Sequence, residues 1–118
     1  MKEIHVDGIV PAGHYVPAIV SNGTLYISGQ LADDFKLDMT GQMAEVLSKI
    51  DRILTAAGCT RSDVAMCTVY IPDIRFWDLA NCAYSAFFGT HKPARVIVPT
   101  RELHHGALVE ISAVAEAH

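Results

Sequence analysis

The chain has 118 residues, 51% of them apolar, and a formal net charge of −4 at pH 7. This length fits one domain over residues 1–118, and the acidic balance without any basic run excludes the electrostatic footprint of a nucleic-acid-binding protein. No stretch reaches the roughly 18 apolar residues of a membrane span, no apolar signal core opens the chain, and three cysteines without C-x-x-C spacing indicate reduced thiols, so we expect a cytoplasmic protein.

The first third of the chain predicts strands. Residues 4–10 fit a short first strand, and residues 18–30 predict a hairpin. The hairpin turn is placed at Asn22-Gly23, because this pair accepts the positive φ angles of two-residue hairpin turns. Residues 32–38, which include three aspartates, predict a solvated loop.

Two amphipathic helices are predicted further along. The first has an apolar stripe at helical spacing, begins at a cap formed by Asp38 or Thr40, and ends at Gly58. The second begins at a cap formed by Asp73 and ends at Gly89. Its inward-facing residues are predicted to be Phe76, Leu79, Ala80, Ala83 and Phe87.

Three further strands are predicted at residues 64–71, 95–101 and 107–115. The element order is therefore β-β-β-α-β-α-β-β, which indicates an α+β domain. Right-handed crossovers place both helices on one face of a mixed sheet. The last two strands are apolar at nearly every position, so we expect the other face to meet an apolar surface, most economically a sister subunit.

Two lone charges stand in those last two strands, Arg95 in one and Glu110 in the other. A guanidinium cannot lose its proton, so its burial without an acceptor is costly. Two interpretations remain open from the residues alone. Either Arg95 and Glu110 pair in the core, or Arg95 binds a carboxylate substrate while Glu110 handles a water or a proton.

Other chemistry finds little support in the sequence. His104 and His105 are adjacent, so on a strand they would face opposite sides and could not share a metal ion. Cys67 and Cys82 fit small apolar filler, and no nucleotide-binding or serine-hydrolase motif occurs.

The polar residues left near apolar elements are Tyr15, Ser28, Asn81, Tyr84, Arg95 and Glu110. The three-residue spacing of Asn81 and Tyr84 lets both face one direction, although such a pair alone fits a partly exposed helix flank.

Several segments together resemble the RidA (YjgF) family from about Pro11 to Ala115. They are Pro11-Ala12-Gly13-x-Tyr15, Asn22-Gly23-Thr24-Leu25-Tyr26-Ile27-Ser28-Gly29-Gln30, Asn81-x-x-Tyr84-x-x-Phe87-Phe88-Gly89, Pro93-Ala94-Arg95 and Gly106-Ala107-Leu108-Val109-Glu110-Ile111. The resemblance implies a chorismate-mutase-like α+β subunit, assembled as a homotrimer around a central β-barrel with clefts between subunits. It also implies hydrolysis of reactive enamines and imines, such as 2-aminoacrylate and 2-iminobutanoate, to 2-oxo acids and ammonia, with neither a metal nor an organic cofactor.

By the same resemblance, Arg95 holds the substrate carboxylate and Glu110 positions water. The other substrate-binding residues would be Tyr15, Ser28, Gly29, Asn81, Tyr84 and Ile97. No nucleic-acid or membrane partner is implied; the expected partners are a small imine or enamine carboxylate and copies of the same chain.

The sequence also departs from the family pattern around the expected cleft. Val16-Pro17 replaces the usual Ser-Gln, the loop after Gln30 is short, and His104-His105 stands where Pro-Lys is common. Two alternatives therefore stay open. One is a deaminase of larger enamines, such as 2-aminomuconate, and the other is a non-catalytic trimer that binds small carboxylates or partner proteins.

Overall fold

The computed structural model describes residues 1–118. Its strands are β1 (Lys2–Ile4), β2 (Ala18–Ser21), β3 (Thr24–Gln30), β4 (Val64–Ile71), β5 (Ala94–Pro99) and β6 (Glu110–Glu116), and its helices are α1 (Met39–Ala56) and α2 (Trp77–Phe88). The strands form one sheet in the order β1-β2-β3-β6-β4-β5. Only β4 and β5 are parallel, with α2 as the crossover between them. The predicted element order and the mixed sheet are confirmed.

The hairpin of β2 and β3 turns where it was predicted. Asn22 and Gly23 have φ angles of 56° and 76°, the left-handed values that a two-residue hairpin turn of this type requires. Ser21 pairs with Thr24 across the turn. The predicted strand at residues 4–10 is wrong, because β1 ends at Ile4 and the chain then turns through Gly8, whose φ is 85°.

Helix α1 begins at the first of the two predicted caps. The Asp38 side chain accepts a hydrogen bond from the Gly41 N–H at 2.9 Å. The helix ends just before Gly58, whose φ of 75° closes the last turn. Its buried apolar face is made of Met39, Met43, Val46, Leu47, Ile50, Ile53 and Leu54.

The predicted start and inward face of α2 need correction. Asp73 caps a short 3-10 turn, Ile74–Phe76, and α2 itself begins at Trp77. Leu79, predicted to face inward, is 48% exposed, whereas Tyr84 and Phe88 are buried. The inward face of α2 therefore includes Tyr84, which the prediction left out because it considered only apolar residues.

The last two strands are shorter than predicted, because β5 ends at Pro99 and β6 begins only at Glu110. Both helices pack on one face of the sheet, where they enclose a single apolar core. The opposite face exposes large apolar side chains, among them Tyr26, Met66, Val96 and Val98. Neither helix is both long enough and apolar enough to cross a membrane.

Candidate functional site

Arg95 and Glu110 lie on opposite faces of the sheet. Strand β4 separates their two strands, and it pairs Cys67 with Arg95 and Tyr70 with Glu110. Cys67 is buried on the helix-covered face, and Tyr70, three positions along, points to the other face because side chains alternate. No ion pair joins Arg95 to Glu110. The interpretation of the two charges as a core ion pair within one chain is therefore excluded.

Helix α2 positions the Arg95 guanidinium. Arg95 Nη1 donates a hydrogen bond to Asn81 Oδ1 at 2.8 Å. The guanidinium carbon lies 4.8 Å from the centroid of the Tyr84 ring and 5.7 Å from that of the Trp77 ring. These three α2 residues are spaced four and three positions apart, so they share one helix face. Trp77 was missed by the sequence analysis, although its helical spacing from Asn81 is the signal that places it there.

Arg95 opens into a cleft of about 440 Å³, which we call the Arg95 cleft. It is lined by Asn81, Tyr84, Ser85, Phe88, Gly89, His91, Lys92, Pro93 and Arg95. No carboxylate lines it, and the hydrogen-bond partner of the guanidinium is a neutral amide. The remaining guanidinium N–H groups are free to bind a planar anion bidentately.

Two titratable groups form the floor beneath Arg95. The Tyr84 hydroxyl is buried and makes no hydrogen bond. Burial raises the pKa of Tyr84 far above its usual range, the nearby Cys67 raises it further, and Arg95 opposes the shift. Burial also raises the pKa of Cys67, against smaller opposing effects of Tyr84 and Arg95. Both groups are therefore neutral at physiological pH, and Cys67 is not an activated nucleophile.

Glu110 lines a separate cleft of about 240 Å³, the Glu110 cleft, on the other side of the subunit. The cleft is lined by Tyr15, Ser28, Gly29, Leu31, His104 and Glu110. The Glu110 carboxylate makes no hydrogen bond or ion pair with the rest of the chain. It is thus available to a water molecule or a substrate.

A glycine and a loop shape the Glu110 cleft. A Cβ on Gly29 would collide with Glu110 Oε2, so only glycine leaves the carboxylate in place. The β3–β6 register shifts between Ile27 and Gln30, and such bulges commonly redirect side chains beside sites. Ser28 Oγ donates to Val16 O at 2.7 Å, and the Tyr15 hydroxyl accepts from Ala12 N at 3.2 Å, which fixes the loop before β2.

The eight predicted site residues therefore fall into two groups and one outlier. Arg95, Asn81 and Tyr84 lie in the first cleft. Tyr15, Ser28, Gly29 and Glu110 lie in the second. Ile97 follows Arg95 on the same face of β5, packs against the core and lines neither cleft.

The arrangement of the two adjacent histidines also needs correction. They lie in a 3-10 turn, His104–Gly106, and not on a strand. Their ring centroids are 3.7 Å apart, so the rings face the same side. No group of three or more His, Cys, Asp or Glu side chains is placed to hold a metal ion.

Comparison with known proteins gives consistent matches over the whole chain. The family model described as endoribonuclease L-PSP matches residues 6–117. A RutC family protein of Pyrococcus horikoshii is 39% identical over 89% of this chain and 88% of its own, and one from Aquifex aeolicus is 38% identical over 98% of each. Among solved structures, YyfA of the Rid protein family from Yersinia pestis has a TM-score of 0.93 at 35% identity, covering 98% of both chains. E. coli TdcF with bound serine has a TM-score of 0.93 at 26% identity, covering 100% of both chains.

Proposed function

Because the chain belongs to the endoribonuclease L-PSP family, which includes the RidA (YjgF) proteins, we propose that it hydrolyses reactive enamines and imines. The substrates are of the 2-aminoacrylate or 2-iminobutanoate type, and the products are a 2-oxo acid and ammonia. The observation that carries this proposal is Arg95, a half-buried permanent cation without a counter-charge in a cleft free of carboxylates. Such a group fits the substrate carboxylate next to the reacting C=N bond.

The working site is composed of two subunits. Arg95 and Glu110 face opposite sides of one sheet, so a single chain does not bring them to the same substrate. In a homotrimer, the Arg95 cleft of one subunit would meet the Glu110 cleft of its neighbour. The apolar residues exposed on the open face of the sheet, including Tyr26, Val96 and Val98, support such an assembly, because burying them removes apolar surface from water.

The chemistry needs only positioning and proton transfer. The guanidinium holds the carboxylate by two parallel hydrogen bonds and so orients the neighbouring imine carbon. A protonated imine is already electrophilic, and water held by Glu110 adds to it while the carboxylate accepts a water proton. Collapse of the adduct breaks the C–N bond and leaves the 2-oxo acid and ammonia. No step requires a metal or an organic cofactor.

Mixed trimers test the proposal most directly. Arg95→Ala and Glu110→Gln are each expected to be inactive on an imine made in situ by an amino-acid oxidase, with ammonia release compared with and without protein. Equal amounts of the two variants, unfolded and refolded together, should recover activity at about a quarter of the sites, because one intact Arg95 and one intact Glu110 then meet by chance.

The controls separate assembly from catalysis. Each variant refolded alone should stay inactive, and each should sediment at about three times the subunit mass of 12.8 kDa. A wild-type protein that forms trimers and releases no ammonia above the spontaneous rate would refute the deaminase. If the wild type is active but the mixed variants recover no activity, Arg95 and Glu110 of each site belong to the same subunit.

A non-catalytic carboxylate-binding trimer is the second candidate. It is supported by the similar structure of TdcF, which contains bound serine, a small carboxylate. This function predicts binding of 2-oxobutanoate or serine that depends on Arg95, without any acceleration of imine hydrolysis. A deaminase of larger enamines is the third, because the Arg95 cleft also contains Lys92, a second cation for a distal carboxylate. Comparison of 2-aminomuconate with 2-iminobutanoate as substrates would distinguish it.

Ribonuclease activity, which the family description names, has less support in this chain. The net charge is −4. A phosphate backbone is bound through many cationic contacts. The Arg95 cleft offers Lys92 and Arg95, which suits a small anion better than a polynucleotide.

A further inference from the structure

The Glu110 cleft adjoins a second cavity of about 160 Å³. Tyr15, Gly29 and Leu31 line both spaces. The two adjacent histidines stand at the boundary, because His104 lines the Glu110 cleft and His105 lines the second cavity. The imidazole pair therefore borders both spaces, with His104 on the side of the Glu110 carboxylate.

A ring stack and a left-handed backbone hold this pair in place. Phe35 stacks on His105 with ring centroids 5.1 Å apart and planes 26° from parallel. His105 in turn contacts His104, with ring centroids 3.7 Å apart. The φ of His105 is 60°, a left-handed value that is strained for a residue with a side chain. This conformation turns two consecutive side chains to one side, and the strain is of the kind that persists at functional sites.

The ring nitrogens of His104 are free. They make no hydrogen bond within the chain, unlike those of His5, His91 and His118, which contact Glu3, Val64 and Asp63. Glu110 and Tyr15 are the other titratable groups of the cleft, and the Tyr15 hydroxyl already accepts a backbone hydrogen bond. His104 is thus the unengaged proton donor beside an unengaged carboxylate.

We propose that His104 is a second proton-transfer residue of this site, acting on the leaving nitrogen while Glu110 acts on water. The inference rests on the proposed deaminase function and adds a separate group to it. Imine hydrolysis needs a base when water adds and an acid when ammonia leaves. One carboxylate serves both only if it reaches first the attacking water and then the leaving nitrogen, whereas a second group lets each atom have its own proton-transfer partner.

The steps balance as follows. Water adds to the carbon of the protonated imine and gives one proton to Glu110, which leaves a neutral carbinolamine. Protonated His104 gives its proton to the carbinolamine nitrogen. The C–N bond breaks, the hydroxyl proton returns to His104, and the products are the 2-oxo acid and ammonia. Glu110 then gives its proton to ammonia or to solvent.

His104→Ala tests the inference against wild type in the imine assay. We expect kcat to fall about 100-fold with KM changed less than about threefold, because proton transfer contributes roughly 10²–10⁴ in rate and the carboxylate contacts stay intact. Added imidazole should restore at least about tenfold of the loss, since it supplies the missing proton donor in the space that the side chain left. His104→Gln, which keeps a side chain of similar length, should show the same loss without the same restoration.

His118→Ala is the matched control, because it removes an exposed histidine whose partner, Asp63, lies outside both clefts. It should keep wild-type kcat and show no response to imidazole. Undiminished kcat in His104→Ala would overturn the inference while leaving the deaminase intact. A loss of kcat in both His104→Ala and His104→Gln that imidazole restores in neither, with native melting curves, would overturn it as well. An inactive wild-type protein would instead refute the deaminase itself.

Discussion

The Arg95 cleft and the Glu110 cleft hold their charges in opposite ways. Arg95 is fixed on three sides, by the Asn81 amide oxygen at 2.8 Å and by the rings of Tyr84 and Trp77. Glu110 has no such contacts, and its neighbour Gly29 contributes only the absence of a side chain. One charge is held rigid by a helix, and the other is left free beside a bulged strand.

The difference corresponds to two kinds of chemical work. A group that binds and orients an anion gains from being fixed before the ligand arrives, since less entropy is lost on binding. A group that accepts and releases a proton must alternate between two charge states, and strong fixed partners would favour one of them. Under the proposed function, Arg95 and its contacts form a binding half, and Glu110 and its surroundings form a proton-transfer half. We expect substitutions in the two halves to differ in kind as well as in size.

Removing the charge of the binding half should have the largest effect. Arg95→Ala is expected to lower imine hydrolysis by at least about 100-fold, because a bidentate charged contact in a closed site contributes around 3 kcal/mol. The free energy of unfolding should fall by less than about 1 kcal/mol, since Arg95 is half-buried and bonds a neutral amide and not Glu110. Activity and denaturant unfolding of the same preparation measure both.

Two further arginine variants sharpen that result. Arg95→Lys should recover only part of the activity, because an ammonium lacks the planar fork. Arg52→Ala, on the exposed side of α1, should match wild type. A loss of 3 kcal/mol or more of stability in Arg95→Ala would show instead that the cation has an essential partner within the assembly.

Crowding the proton-transfer half should have the second largest effect. The methyl group of Gly29→Ala would displace the Glu110 carboxylate, and a shift of about 1 Å in a catalytic group can cost on the order of 100-fold in rate. We expect a kcat loss of about 10- to 100-fold with binding of 2-oxobutanoate, measured calorimetrically, little changed. Gly13→Ala is the control, since its methyl would make only an ordinary 3.6 Å contact with Tyr15. Weakened product binding with unchanged kcat would contradict the division into two halves.

The smallest effect is expected beneath Arg95. Tyr84→Phe removes a buried hydroxyl without a partner, so the free energy of unfolding should rise by about 1 kcal/mol at fixed protein concentration. Activity should fall less than about tenfold, because the ring face below the guanidinium is retained. A variant less stable than wild type would reveal a partner for this hydroxyl in the assembled protein.

Local signals predicted much of the fold. The Asn22-Gly23 turn and the bounds of β4 follow from backbone preferences at glycine, asparagine and proline, which act over a few residues. The prediction of the first strand failed because the chain turns at Gly8, earlier than the apolar residues around it suggest. The inward face of α2 failed because Tyr84 packs inside as an aromatic ring despite its hydroxyl.

The site was less predictable, because it depends on pairing between distant segments. Seven of the eight predicted site residues lie in one of the two clefts, and they were named from their types and from the family resemblance; Ile97 lies in neither cleft. That Arg95 and Glu110 face apart follows only from the insertion of β4 between β5 and β6, two strands consecutive in the chain. A one-residue change of register would reverse either side chain, and because both strands are apolar at nearly every position, the alternation that usually fixes the register is missing here.

Strand β5 has a consequence for the newly made chain. It pairs with β4 alone, so its outer edge presents unpaired backbone groups, together with the exposed side chains of Val96 and Val98. Such an edge is a template for aggregation until it is covered. Pro93 precedes the strand and Pro99 ends it, and neither has an N–H to donate to another strand. The two prolines thus limit the length of the edge on which another unfolded chain could pair before the subunits assemble.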